Sequence, residues 1–155
     1  MGLPRESPSG VTLRTADKKG LEERNTVRKK VLLIDDDPVL SRLFSVRLRG
    51  AGYDVAIACD GVQSISAVRR ERPDVILLDI GLPGGDGYTV LKRLKAIVHV
   101  SAVPIIVVSG RAAETDAERM LAAGADDYFQ KPVDLDRLAA RMRELLGDIP
   151  LAATA

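Results

Sequence analysis

Carboxylate side chains follow two of the apolar runs in the sequence. Asp35 and Asp36 come directly after the run 31–34, and Asp79 comes directly after the run 75–78. Runs of four to six apolar residues are typical of strands covered on both faces of a parallel sheet, so the residues after them emerge at one edge of that sheet. If the two strands are neighbours, the three carboxylates raise each other's pKa unless a cation lies between them. Mg²⁺, which prefers oxygen ligands, is the expected cation.

A hydroxyl and an ammonium group follow two later runs. Ser109 comes after the run 104–108, and Lys131 comes after the run 126–130. A carboxylate can attack phosphorus to give an acyl phosphate, while a metal ion and an ammonium group neutralise the oxygens in the transition state. Asp79 is the best candidate nucleophile, because it stands alone after its strand and beside a glycine-rich loop. Each residue alone would suit a turn, but their joint occurrence indicates a phosphorylation site.

The elements that must position these side chains alternate regularly. The sequence predicts strands over 31–35, 53–58, 74–79, 104–108 and 126–130, and helices over 38–50, 61–71, 87–97, 112–123 and 134–146. Such alternation with short connections favours an α/β domain in which helices cover both faces of a parallel sheet. Pro38 suits a first helical turn, and Asp60 and Asp134 suit helix N-caps.

Composition limits the chain to one domain with tails. At 155 residues and 46% hydrophobic content it can bury one core, and with 3% aromatic residues that core must consist of Val, Leu, Ile and Ala. We expect a flexible basic leader or linker over 1–29, the folded domain over 30–147 and a tail over 148–155.

Charge and cysteine content indicate which partners and which cellular compartment to expect. Residues 1–30 carry eight Lys and Arg against four Asp and Glu, which leaves fifteen against eighteen in the rest, a net charge of −3. The folded domain is therefore not expected to bind DNA directly. The single cysteine, Cys59, excludes an internal disulfide, and no apolar run reaches the length of a membrane span. We expect a cytoplasmic protein without a membrane partner.

Four segments together resemble the receiver domain of bacterial two-component response regulators over about residues 30–147. They are Leu-Ile-Asp35-Asp36-Asp37-Pro38, Val-Ile-Leu-Leu-Asp79-Ile-Gly-Leu-Pro83-Gly-Gly-Asp86-Gly87, Pro104-Ile-Ile-Val-Val-Ser109-Gly110 and Gly124-Ala-Asp-Asp-Tyr128-Phe-Gln-Lys131-Pro132. The resemblance implies a flavodoxin-like fold, a doubly wound five-stranded parallel sheet in the order 2-1-3-4-5. It also implies a cis peptide bond between Lys131 and Pro132.

The resemblance implies a role for each acidic position. Asp79 would accept a phosphoryl group from a sensor histidine kinase or a histidine phosphotransfer protein. Asp36 would bind Mg²⁺ directly, Asp35 would hold it mostly through water, and Asp79 and the backbone carbonyl of Gly81 would complete the protein ligands. One departure is Gly85, which stands where the family often has methionine.

The resemblance also implies how the signal leaves the site. Ser109 and Lys131 would each bond a phosphoryl oxygen, and Tyr128 occupies the position of the family's switch residue. The face formed by the fourth helix, the fifth strand and the fifth helix would then change its affinity for an unknown downstream protein. We expect a monomer or a weak homodimer.

Two other interpretations remain open at the level of sequence. The chain could be a receiver fragment of a larger hybrid kinase or output enzyme. It could also be a Mg²⁺-dependent phosphohydrolase with an aspartyl intermediate, but that chemistry needs a second acid two residues after the nucleophile, where Gly81 stands. We therefore expect a phosphoacceptor switch that only phosphorylates itself and slowly loses the phosphate, not an enzyme.

Overall fold

The computed structural model describes residues 27–81, 87–110 and 114–148, without the side chains of residues 114 and 115. The strands are β1 (Lys30–Ile34), β2 (Asp54–Ala58), β3 (Val75–Asp79), β4 (Ile105–Ser109) and β5 (Asp127–Gln130). The helices are α1 (Pro38–Gly50), α2 (Gly61–Glu71), α3 (Gly87–Lys95), α4 (Glu114–Ala122) and α5 (Leu135–Leu145). These strands and helices alternate along the chain, as the sequence predicts.

The five strands form one parallel sheet in the order β2-β1-β3-β4-β5. β1 lies between β2 and β3, with Ile34 opposite both Ala58 and Leu78. The chain therefore reverses its direction of travel across the sheet between β1 and β3, which is the position where open parallel sheets bind ligands. Both the flavodoxin-like architecture and the strand order agree with the sequence-based expectation.

Each strand contributes alternate side chains to two apolar layers, because successive side chains point to opposite faces of a sheet. Leu32 and Ile34 of β1 pack in the layer under α2, α3 and α4, whereas Val31 and Leu33 pack in the layer under α1 and α5. All five residues of β3 are buried. The sheet is therefore covered on both faces, and its central strands are held rigidly by packing.

Helix ends follow the capping residues of the sequence. The side chain of Asp60 accepts a hydrogen bond from the Gln63 backbone N–H at 2.7 Å, and Asp134 caps α5 in the same way. Pro38 lies in the first turn of α1. These three predictions are confirmed, and a cap of this kind stabilises a helix by about 1 kcal/mol.

Small differences from the expected boundaries occur at the helix and strand ends. The predicted helix over 87–97 ends at Lys95, and a short 3₁₀ turn, Val98–Val100, follows it. Asp79 and Ser109 are the last residues of their strands. The bond between Lys131 and Pro132 is cis, as the family resemblance implies. In the described part of the chain, no helix has the length and apolar character that crossing a bilayer requires.

Candidate functional site

The carboxyl ends of four strands bring the candidate residues to one edge of the sheet, which we call the carboxyl edge. Asp35 follows β1 directly, and Asp79 ends β3 beside it. Ser109 ends β4, and Lys131 follows β5. The backbone N–H of Lys131 donates to the carbonyl oxygen of Ser109 at 2.7 Å, which extends the β4–β5 pairing past the end of the sheet.

Three carboxylates converge at this edge. One oxygen from each of Asp35, Asp36 and Asp79 lies within 4.8 Å of the other two. Asp35 is 3% exposed and Asp79 is 8% exposed, whereas Asp36 is open to solvent. This set of oxygen ligands, two buried and one facing water, fits a divalent cation that keeps part of its hydration shell.

Backbone donors hold one oxygen of each buried carboxylate. The Asp37 N–H donates to Asp35 Oδ1 at 2.9 Å, and the Gly81 N–H donates to Asp79 Oδ1 at 3.0 Å. The other oxygen of each carboxylate faces the ammonium group of Lys131, whose Nζ lies 3.2 Å from Asp79 Oδ2 and 3.5 Å from Asp35 Oδ2. One lysine therefore bridges both buried acids.

Burial dominates the electrostatics of Asp35. Loss of solvent raises the pKa of its carboxyl group, and the neighbouring charge of Asp79 raises it further. The hydrogen bond from the Asp37 backbone and the charge of Lys131 act in the opposite direction but do not cancel the effect. A cation between the acids would remove the cause of the repulsion.

Ser109, Gly81 and Tyr128 stand at different distances from this cluster. Ser109 is 1% exposed and ends the strand next to β3. A side chain at Gly81 would meet Asp79 Oδ1 at 3.5 Å, so residue 81 adjoins the Asp79 carboxylate. Tyr128 lies within β5, opposite Val107, and is partly buried against the layer under α2, α3 and α4. The structure thus places Tyr128 beneath the edge and not in the acidic cluster.

Sequence reasoning assigned no role to Asp37. Its side chain caps α1 by accepting hydrogen bonds from the N–H groups of Val39 and Leu40, while its own N–H holds Asp35. The signal was present, because an Asp before Pro38 is a typical helix start. The loop positions Pro83, Gly85 and Asp86 of the family motif lie outside the described residues.

An acidic cluster with one lysine thus lies at the reversal point of an α/β domain whose parallel sheet has this strand order. A family model for the response regulator receiver domain matches residues 31–143, and the chain belongs to this family.

Two curated relatives are named as DNA-binding regulators. The chain is 42% identical over 122 residues to the DNA-binding response regulator MtrA of Mycolicibacterium smegmatis, a match that covers 79% of this chain and 52% of the relative. It is 39% identical over 127 residues to the DNA-binding dual master transcriptional regulator RpaA of Synechocystis, covering 80% of this chain and 53% of the relative. The chain spans about half the length of these relatives.

A solved structure shows the same fold in another setting. The receiver domain of the sensor histidine kinase PA1611 from Pseudomonas aeruginosa superposes with a TM-score of 0.72 at 34% identity, covering 78% of this chain and 99% of that one. That crystal structure has a magnesium ion coordinated in its active-site cleft.

Proposed function

We propose that this chain accepts a phosphoryl group on Asp79 from the phosphohistidine of a sensor kinase or phosphotransfer protein. The observation that carries the proposal is the placement of Lys131 Nζ 3.2 Å from Asp79 Oδ2, within a cluster of three converging carboxylates. The Asp79 carboxylate is held by the Gly81 N–H on one oxygen, so its other oxygen is oriented for attack.

The transfer replaces one bond to phosphorus with another. A carboxylate oxygen of Asp79 attacks the phosphorus of the donor, the P–N bond breaks, and the histidine nitrogen leaves with the bonding electron pair and takes up a proton. Lys131 is placed to neutralise charge on a phosphoryl oxygen, and Ser109 is proposed to donate its hydroxyl to another. Water later cleaves the acyl phosphate and restores the carboxylate.

The residues present fit a bound Mg²⁺. We propose that Asp36 and Asp79 bind it directly, that Asp35 holds it mostly through water, and that the carbonyl oxygen of Gly81 completes the protein ligands. When bound, the ion supplies positive charge that offsets the repulsion among the carboxylates and the incoming phosphoryl oxygens. Asp35, which accepts a hydrogen bond from the Asp37 N–H, would form the buried side of this site.

The proposed output is a change in the surface that binds the downstream partner. A phosphoryl group on Asp79 would draw the Ser109 hydroxyl toward it, and Tyr128, which lies in the neighbouring strand, would follow into the space released. The face formed by α4, β5 and α5 would then favour a different partner, since the phosphate stabilises one state over the other. The downstream partner is proposed to be a protein, bound by a monomer or a weak homodimer.

The proposed setting is cytoplasmic phosphorelay signalling. The relatives named as DNA-binding are about twice as long as the matched region, so we do not assign DNA binding to this folded domain. Either an output domain or a kinase could carry such a receiver, as the PA1611 domain illustrates for kinases. Gly81 in place of a second acid supports an acceptor that loses its phosphate slowly over a phosphohydrolase.

The test compares two matched substitutions. Asp79→Asn should abolish phosphorylation of the full chain by radiolabelled acetyl phosphate or by a partner kinase. Asp37→Asn should leave it intact, because asparagine also caps helices and Asp37 is not a proposed ligand. Uptake of label by Asp79→Asn at the unmodified rate, or equal loss in both variants, would refute the proposal.

A further inference from the structure

A basic cleft lies at the edge of the sheet opposite Asp79, which we call the amino edge. α2 and α3 run back from the carboxyl edge, so their last turns meet there. The cleft between them has a volume of about 770 Å³. Arg69 and Arg72 from the end of α2, Arg93 from α3, and His99 from the following 3₁₀ turn line its walls.

The arginines of the cleft differ from the basic residues around it. Arg70 pairs with Glu71 at 3.0 Å, and Lys95 approaches Asp126 at 3.6 Å. By contrast, no carboxylate within the described ranges forms an ion pair with any of the three cleft guanidinium groups, those of Arg69, Arg72 and Arg93. Three arginines therefore line one cleft without a carboxylate partner among the described residues, although they lie beside the partly negative carbonyl ends of α2 and α3.

The backbone of Arg72 adds an independent observation. Arg72 ends α2 with φ 46° and ψ 64°, a left-handed conformation, and it is the one non-glycine residue of the described segments with positive φ. Glycine or asparagine is the usual residue at such a helix end, because a side chain there is strained. Because strained residues cluster at ligand sites, an arginine in this conformation at the wall of the cleft supports a functional role for the cleft.

The remaining wall of the cleft is apolar. Ile65, Ile97 and Val98 line it, and Val98 is 89% exposed. Small-ligand sites are typically clefts of about 300–1,000 Å³ with apolar walls and a few polar groups, and this open cleft falls within that range of volume. Guanidinium groups present paired N–H donors that match phosphate oxygens.

We propose that this cleft binds a small phosphorylated ligand with at least two negative charges and an apolar part, of the nucleoside diphosphate class. The phosphates would lie against Arg69, Arg72 and Arg93, and the apolar part against Ile97 and Val98. Nucleic acid is a poorer fit, because the chain outside residues 1–30 carries a net charge of −3 and offers no extended basic face.

The experiment measures ADP binding to the full chain by titration calorimetry, with a chelator present so that no metal recruits phosphate to the acidic cluster. We expect saturable binding with a dissociation constant below about 1 mM. Arg72→Gly and Arg93→Gln should each weaken it about tenfold or more, since each removes a charge-assisted contact. Arg70→Gln, the matched control with a paired arginine outside the cleft, and Asp79→Asn should leave it unchanged. Thermal unfolding checks that each variant is folded.

A second arm separates the two parts of the ligand. Val98→Ser should weaken ADP binding while leaving pyrophosphate binding intact, because only the base would contact the apolar wall. Absence of ADP binding at about 1 mM overturns the proposal, as does equal weakening by Arg70→Gln and Arg93→Gln. Tighter binding of a polyglutamate peptide or of duplex DNA than of ADP would also overturn it.

Discussion

The two edges of the sheet carry opposite charge in opposite surroundings. At the carboxyl edge, Asp35 and Asp79 are buried and share one ammonium group, that of Lys131. At the amino edge, Arg72 and Arg93 are exposed on helix ends and have no carboxylate partner among the described residues. The charges at the strand ends therefore interact in a buried environment, whereas water and salt screen the charges at the helix ends.

Carboxyl groups show the contrast directly. Burial and the charge of Asp79 raise the pKa of the Asp35 carboxyl at the carboxyl edge. At the amino edge, hydrogen bonds first from Arg70 and then from Lys30 lower the pKa of the Glu71 carboxyl. The same chemical group is thus pushed in opposite directions by the edge on which it lies.

The largest predicted effect is the difference in the free energy of unfolding between two lysine substitutions, one at each edge. Lys131→Met leaves two buried carboxylates without a counter-charge, and we expect the free energy of unfolding to fall by about 2 kcal/mol in chelator. Lys30→Met, the matched control, breaks an ion pair with Glu71 in which the lysine side chain is 34% exposed, and should cost less than about 1 kcal/mol.

Urea denaturation of both variants measures the difference. Added Mg²⁺ should restore part of the stability of Lys131→Met, because a cation among the carboxylates replaces the lost charge. Equal costs for the two substitutions would contradict the contrast between a buried and an exposed edge.

The pH dependence of stability should show a smaller effect with opposite signs at the two edges. Because the pKa of Asp35 is raised in the folded state, its contribution is present below the ordinary value of 3.8 and is lost as pH rises through the raised pKa. Because the pKa of Glu71 is lowered, its contribution is present above the ordinary value of 4.5 and is lost as pH falls.

Chemical denaturation at a series of pH values in chelator separates these contributions. Asp35→Asn should remove the loss of stability that occurs as pH rises, and Glu71→Gln should remove the loss that occurs as pH falls. A pH profile unchanged by Asp35→Asn would show that this carboxyl titrates normally in the folded chain.

The smallest predicted effect is a gain of stability at the amino edge. Arg72→Gly relieves a left-handed conformation and should raise the free energy of unfolding by about 0.5 kcal/mol. Arg70→Gly, in the preceding helical turn, should lower it by about 1 kcal/mol, since glycine weakens a helix. Thermal unfolding measures both, and a loss of stability in Arg72→Gly would mean that the arginine packs in the fold.

The carboxyl edge could be predicted from the sequence, and the amino edge could not. Apolar runs locate strand ends, so Asp35, Asp79 and Lys131 were placed together by pattern, although the strand order came from the family resemblance. Arg72 follows α2 and Arg93 lies in α3, and the sequence does not reveal which charged side chains form ion pairs. Side-chain packing and the left-handed end of α2 determine which of these side chains are paired.

Chemical mapping of the phosphorylated residue tests the central proposal most directly. The full chain is treated with acetyl phosphate and Mg²⁺, reduced with borohydride, which converts an aspartyl phosphate to homoserine, and digested for mass spectrometry. We expect homoserine at position 79 alone, and none when a chelator replaces Mg²⁺. Homoserine at position 35 or 36, a stable phosphate on Ser109, or no modification would contradict it.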